Sequence, residues 1–415
     1  MTTRDSKYSF QKRMEIEALR PEEVGMSLKG LNRINELIQQ AIQRRSIPGA
    51  VGLIARKGHT VYLNSLGMNS LESNQSLKKD DIFVIASMTK AITSVAVMML
   101  YEEGKFELDT PIADFIPEFR KSTVIQDFDK DQLSYTTQPL KQTITIRHLL
   151  NHTSGIGYAF LDARLRALNK KLGGISPHKT LRENMPYFAQ LPLLHQPGES
   201  WTYGYSTDIL GYLIEQVSKM TLDQFFEKKI FKPLLMNDTH FHLPPEKFDR
   251  YTTRYLKTLG NHLVALPKTL PDKSRNLFLS GGGGLLSTAF DYGRFLQMLL
   301  QGGTLDGKKI LSPASIQLMT RNQIDRHHAY EKEFPFLNGL DKFGLGFMIY
   351  TPESVKHRKI NAGSYGWAGS YNTWYWVDPK AEMYGILLTQ VIPFSDQESV
   401  RLYEQFQDLT YEAML

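Results

Sequence analysis

Four places in this 415-residue chain put a serine three residues before a lysine: Ser9…Lys12, Ser76…Lys79, Ser87…Lys90 and Ser176…Lys179. On a helix that spacing stacks both side chains on one face, one turn apart. An amine so placed can take the proton of a hydroxyl and make it a nucleophile. Their neighbours separate the four. Ser9 sits in a charged leader, Ser76 between Asn74 and Asp80, and Ser176 directly before Pro177. Ser87 alone opens a long apolar run, Met88–Leu100. The N-terminus of such a helix offers unpaired N–H groups and positive potential to an oxyanion forming at Ser87. Burial there disfavours a charged ammonium at Lys90 and so favours its use as a base. The plainer reading of the same pair is Ser87 as a helix cap, with Lys90 reaching solvent.

The elements that would position this pair follow from periodicity. Residues 27–45 have a helical repeat, with Leu31, Ile34, Leu37, Ile38 and Ile42 on one face. Two strand-like runs, Ala50–Ala55 and Thr60–Leu66, flank the turn Arg56-Lys57-Gly58-His59. The apolar helix after Ser87 runs to Gly104. From about 105 to 275 the pattern predicts loops with helices near 145–151, 181–190, 208–219 and 222–234, and a short strand near 239–242. Strands return at Gly344–Tyr350, Asn372–Val377 and Met383–Val391, before a last helix, Asp396–Met414. The simplest α+β architecture is an antiparallel sheet made from both ends of the chain and flanked by terminal helices. A mostly helical domain is inserted between them. The expected division is 20–85 with 275–415 as the sheet domain, 86–274 as the helical domain and 1–19 as a leader. The active site is expected in the cleft between the two domains.

Five segments occur in an order that carries more than any one of them. They are Ser87-Met88-Thr89-Lys90-Ala91, Leu149-Leu150-Asn151-His152-Thr153-Ser154-Gly155, Pro197-Gly198, Gly282–Thr288 and Phe343-Gly344-Leu345-Gly346-Phe347. Together they resemble the class C β-lactamase and penicillin-binding-protein superfamily, and most of all its family VIII carboxylesterase branch with the related acyltransferases. The resemblance spans residues 20 to 400. It implies a β-lactamase/transpeptidase-like fold and an acyl-enzyme on Ser87 activated by Lys90. It also implies a tyrosine that works with the lysine in proton transfer. The literal Y-x-N, Tyr62-Leu63-Asn64, precedes Ser87 and lies in a hairpin strand. Trp201-Thr202-Tyr203-Gly204-Tyr205-Ser206-Thr207-Asp208-Ile209-Leu210-Gly211 is similar to the esterase pattern W-x-Y-S-x-x-x-D-x-L-G. Counting back from Asp208, Leu210 and Gly211 makes Tyr203 the catalytic phenol, with Tyr205 as the alternative; Tyr205 otherwise takes the slot that lactamases fill with Asn or Ser and is expected to bind substrate. The bland reading is two half-buried aromatics before a helix capped by Ser206 or Thr207.

The lactamase K-T-G is replaced by Gly366-Trp367-Ala368-Gly369-Ser370, which resembles the esterase W-x-G. By that resemblance the backbone N–H groups of Ser87 and Ser370 form the oxyanion hole. Gly369 lets the strand approach substrate, and Trp367 offers an apolar plate with one N–H donor where lactamases place a cation. That exchange favours neutral esters over carboxylated β-lactams. The expected function is therefore a carboxylesterase or acyltransferase on small esters. A β-lactamase or D-Ala-D-Ala carboxypeptidase is the enzymatic alternative, and a ligand-binding sensor without turnover is the other.

Composition removes further classes. The net charge is 49 − 43 = +6, spread without a basic block, so nucleic acid is not an expected partner. Without cysteine there is no disulfide, thiolate metal site or cysteine nucleophile. His148 and His152 are spaced i, i+4 but enclose Leu149-Leu150-Asn151 and not the zincin H-E-x-x-H. His240 with His242, and His327 with His328, lack a third ligand, so no metal or cofactor is expected. Gly281–Gly284 is followed by no Gly-Lys-Ser/Thr, so a phosphate loop is not expected, and it reads as a close-packed strand entry beside the cleft. No G-x-S-x-G elbow occurs. The apolar run 82–100 carries Lys90 and several hydroxyls, so no membrane span is expected. The polar start of the chain lacks a secretory h-region. The expected location is cytoplasmic, or periplasmic or secreted if a signal has been removed. The expected partner is a small ester or amide, and the oligomeric state is open.

Overall fold

The computed structural model describes residues 20–129, 134–269, 276–325, 327, 329, 334, 336, 337, 339–394 and 396–415. The leader 1–19 and the pair Ser9…Lys12 lie outside them. Helix α1, Leu28–Gln43, starts at Ser27, whose hydroxyl accepts from Gly30 N at 3.1 Å, and it buries Leu31, Ile34, Leu37, Ile38 and Ala41. Strands β1, Gly49–Arg56, and β2, His59–Ser70, form a hairpin. Its turn residues Lys57 and Gly58 both have positive φ, the type I′ geometry that matches strand twist. Strand β3, Gln75–Ser76, pairs with β2. Strand β4, Phe83–Val84, leads into helix α2, Thr89–Glu102, and pairs with β5, Leu286–Ser287. Between them lies helix α3, Ser206–Ser218. Helix α4, Ala289–Leu300, follows β5. Strands β6, Lys342–Phe343, β7, Met348–Ile349, β8, Tyr365–Gly369, β9, Thr373–Asp378, and β10, Met383–Leu388, precede helix α5, Gln397–Glu412.

The eight-stranded sheet has the order β6-β7-β8-β9-β10-β1-β2-β3, with antiparallel neighbours throughout. Both ends of the chain contribute to it, as their strand content predicts. Successive β9 residues face opposite layers. Trp374 stacks on Tyr403 of α5 at 4.4 Å and Trp376 meets Phe406 at 5.7 Å, while Tyr375 meets Tyr292 of α4 at 5.2 Å. Because helices cover both faces, β8, β9 and β10 are buried along their whole length. That is why they read as continuous apolar runs without alternation. The Trp376 indole needs a bare backbone opposite it. A Cβ on Gly385 would lie 2.1 Å from its ring, so Gly385→Ala is expected to destabilise the chain by about 2 kcal/mol, read as a lower urea midpoint with unchanged m.

Several expected elements differ. The run 344–350 is no continuous strand. Gly344 and Gly346 form the turn of the β6–β7 hairpin, where a Cβ would meet Met319 O at 2.0 Å and Ser94 Oγ at 2.3 Å. The predicted strand near 239–242 is only an isolated bridge, His240 to Leu286. The strand predicted to end at Val391 stops at Leu388, and Val391–Ile392 turns away to pair with Tyr255–Thr258. The middle of the chain holds strands that its polar composition concealed. Thr123–Asp129 pairs with Ser134–Pro139, and Tyr255–Thr258 with His262–Ala265. Ser134–Pro139 is exposed almost throughout, so no buried face marks it in the sequence.

Candidate active site

Ser87 lies in the 3-10 turn Ala86–Met88 that feeds α2. It is half-buried, while its neighbours from Ile85 to Lys90 are all buried, so this turn opens to solvent at one side chain. The turn is held from three directions. Ile85 N donates to Leu285 O at 3.1 Å before β5, and Leu285 N donates to Thr89 Oγ1 at 3.1 Å. The Tyr292 hydroxyl of α4 donates to Met88 O at 2.9 Å. Strand β8 presses against the remaining side, where a Cβ on Gly369 would sit 2.3 Å from Ile85 O. Ala86 takes φ 43°, a left-handed conformation costly for alanine, and these contacts hold it there.

Lys90, one turn on, has 2% of its surface exposed. Its Nζ lies 3.2 Å from Ser87 Oγ, 3.0 Å from the Tyr158 hydroxyl and 2.5 Å from Gly282 O. The plainer reading, a lysine reaching solvent, is thereby overturned. Three partners match the three donors of an ammonium. In the neutral amine two N–H bonds and one lone pair remain. The Gly282 carbonyl can only accept and Tyr158 can accept the second N–H, which leaves the lone pair directed at the Ser87 hydroxyl.

Tyr158 is a neighbour of Lys90 that the sequence reading passes over. It follows the Leu149–Gly155 motif by three residues, as Ile156-Gly157-Tyr158. Burial, reinforced by Tyr203, Asp208 and Tyr205, holds its hydroxyl far above the usual phenol range, so it stays protonated. Tyr203 is also buried, and Lys90 Nζ lies 4.6 Å from the centre of its ring. The Tyr203 hydroxyl accepts from Trp367 Nε1 at 3.1 Å. The indole N–H expected to face substrate is thus directed at the phenol. Tyr205 packs edge-on to Tyr158 at 4.5 Å and against Phe188 at 5.1 Å, so it reaches the site through Tyr158.

The sequence matches the model of the family described as Beta-lactamase over residues 34–406. The chain belongs to the Beta-lactamase family. Rv1367c of Mycobacterium tuberculosis is 32% identical over 86% of this chain and 89% of its own length. The lovastatin esterase of Penicillium rubens is 29% identical over 90% of this chain and 96% of its own. The structure of EstCE1, a hydrolase with promiscuous acyltransferase activity, superposes with a TM-score of 0.78 at 26% identity, covering 92% of this chain and 99% of that one.

In this Beta-lactamase family member the W-x-G segment occupies β8. Strand β7 pairs with Tyr365 and Gly366 but leaves Trp367–Gly369 beyond its reach. Ser370 follows, exposed, where β8 ends. Trp367 is buried among Phe336 at 5.7 Å, Phe343 at 5.4 Å and Trp201 at 6.4 Å. A cavity of about 330 Å³ is bordered by Tyr158 and Tyr203, with Leu161, Leu194, His195 and Arg164 among its walls.

His152 backs the phenols. Its ring lies 5.0 Å from that of Tyr203, and its carbonyl accepts from Thr202 N at 2.8 Å. Burial first, and then the Lys90 charge, hold its imidazole well below the usual range, so it is neutral. His148 instead accepts from Thr145 N in the cap of helix Ile146–Leu150. His240 bonds Lys247, His242 bonds Asn276 O and His327 bonds Gly198 O, while His328 lies outside the described residues. Among the described residues no group of three acidic or imidazole side chains could hold a metal, and no helix is long and apolar enough to cross a membrane.

Proposed function

We propose that this chain is a serine hydrolase of small esters that forms an acyl-enzyme on Ser87 and passes the acyl group to water or to a second alcohol. The observation that carries the reading is the buried Lys90 amine 3.2 Å from Ser87 Oγ, with its other two directions fixed by Tyr158 and Gly282. Lys90 takes the Ser87 proton as Oγ attacks the ester carbonyl. The backbone N–H groups of Ser87 and Ser370 hold the resulting oxyanion. Tyr203 relays the proton to the departing alcohol as the C–O bond breaks. Water or another alcohol then attacks the acyl-enzyme, loses its proton through the same groups and frees Ser87. Trp367 stands where the lactamases carry a cation, which favours uncharged acyl groups. The relatives named as a lovastatin esterase and as a hydrolase with acyltransferase activity support both acyl acceptors. The cleft is formed between the sheet domain, 20–85 with 275–415, and the helical domain, 86–274.

The test is to mix the protein with p-nitrophenyl butyrate, quench in acid and map the peptides by mass spectrometry. The expected result is one butyryl group on Ser87, and hydrolysis lost in Ser87→Ala. Turnover that persists in Ser87→Ala overturns the assignment.

A further inference from the structure

Lys90 is buried, yet none of its three hydrogen-bond partners carries a charge. A charged lysine in such a place needs a counter-charge close by. The titratable groups around it come from several elements. Tyr158 and His152 lie on the segment after helix Ile146–Leu150, Tyr203 and Tyr205 precede α3, and Tyr292 reaches the nucleophile turn from α4. All are phenols or a neutral imidazole. The exception is Asp208, in the first turn of α3 and 2% exposed.

Asp208 faces Lys90 across one glycine. Its Oδ1 accepts from Gly282 N at 3.1 Å and from Ser280 Oγ at 2.5 Å. The carbonyl of the same Gly282 accepts from Lys90 Nζ at 2.5 Å. A Cβ on Gly282 would lie 2.6 Å from Asp208 Oδ2, so only glycine lets the carboxylate come this near. Thr93 of α2 fixes the preceding carbonyl, Gly281 O, at 2.7 Å. The four-glycine run is thus a spacer clamped on one side to the carboxylate and on the other to the lysine. Burial raises the Asp208 carboxyl above its usual range and the Lys90 charge pulls it back, as expected of two groups within electrostatic reach.

We infer that Asp208 is the positioning residue and counter-charge of Lys90: through Gly282 it fixes the direction of the amine toward Ser87. The inference rests on Lys90 being the base. An anion near Lys90 favours its protonated form, so removing the anion favours the neutral one. The test is the pH dependence of kcat/KM with p-nitrophenyl butyrate, a substrate with no titrating group of its own, so the acid limb reports free enzyme.

In Asp208→Asn the acid limb is expected to move to lower pH, while kcat/KM at the optimum falls roughly tenfold. Ser280→Ala keeps the charge and is expected to leave the limb in place. Gly282→Ala forces carboxylate and carbonyl away from Lys90 and is expected to shift the limb the same way as Asp208→Asn, which serves if that variant does not fold. A purely structural Asp208 would lower activity without moving the limb, and an unshifted limb in the folded variants overturns the inference. Wild-type activity in Lys90→Met would instead overturn the assignment of the base. An inactive Lys90→Met beside an unshifted limb overturns the role of Asp208 alone.

Discussion

Lys90→Met is expected to lower kcat/KM toward p-nitrophenyl butyrate by about 10³–10⁴-fold while leaving a folded protein. Methionine matches the lysine stem in length and flexibility, so the packing around α2 survives. What disappears is the lone pair directed at Ser87 and the three hydrogen bonds. The buried Gly282 carbonyl loses a partner, which costs about 1–3 kcal/mol. Asp208, also 2% exposed, is left without its counter-charge, which adds to that cost. The thermal midpoint should therefore fall by several degrees in a protein that still folds, while activity nearly vanishes. Circular dichroism melts run beside the kinetics check this. Activity near wild type would mean that Lys90 is not the base.

That pair was legible because it is local. Three residues of spacing and an apolar run suffice to place a lysine beside a serine on one helix face. The β1–β2 hairpin and the terminal helices were legible for the same reason, since each carries its own periodicity and its own turn or cap. The rest of the site comes from side chains and backbone far apart in sequence. Gly282 O is a backbone atom, so no residue type announces it, and only the arrangement against Asp208 shows why glycine stands there. Asp208 itself served only as a marker for counting back to Tyr203. Tyr158 lay in plain view after Ile156-Gly157, but a lone tyrosine behind a loop motif has no periodicity to set it apart. The sheet failed to read cleanly where geometry overrode pattern, at Gly344 and Gly346, and a separate strand stayed hidden where it is exposed almost throughout, at Ser134–Pro139.

The two phenols beside Lys90 should separate when each is changed to phenylalanine. Tyr203→Phe removes the hydroxyl that accepts from Trp367 Nε1 and leaves a buried indole N–H unpaired, at a cost of about 1–3 kcal/mol. It also removes the proposed relay to the leaving alcohol, so kcat is expected to fall about 10²–10³-fold with KM nearly unchanged. The loss should shrink for esters whose alcohol departs without a proton, such as p-nitrophenol, and be greatest for alkyl esters. Tyr158→Phe acts differently. It takes one of three partners from Lys90 without touching Trp367, so the amine loses direction but keeps its lone pair and its contact with Gly282. A fall of about tenfold, equal for activated and alkyl esters, is expected. Paired measurements with p-nitrophenyl butyrate and ethyl butyrate decide the matter. If the dependence on leaving group follows Tyr158 and not Tyr203, the relay belongs to the tyrosine that already touches the lysine, and Tyr203 is a wall held in place by Trp367.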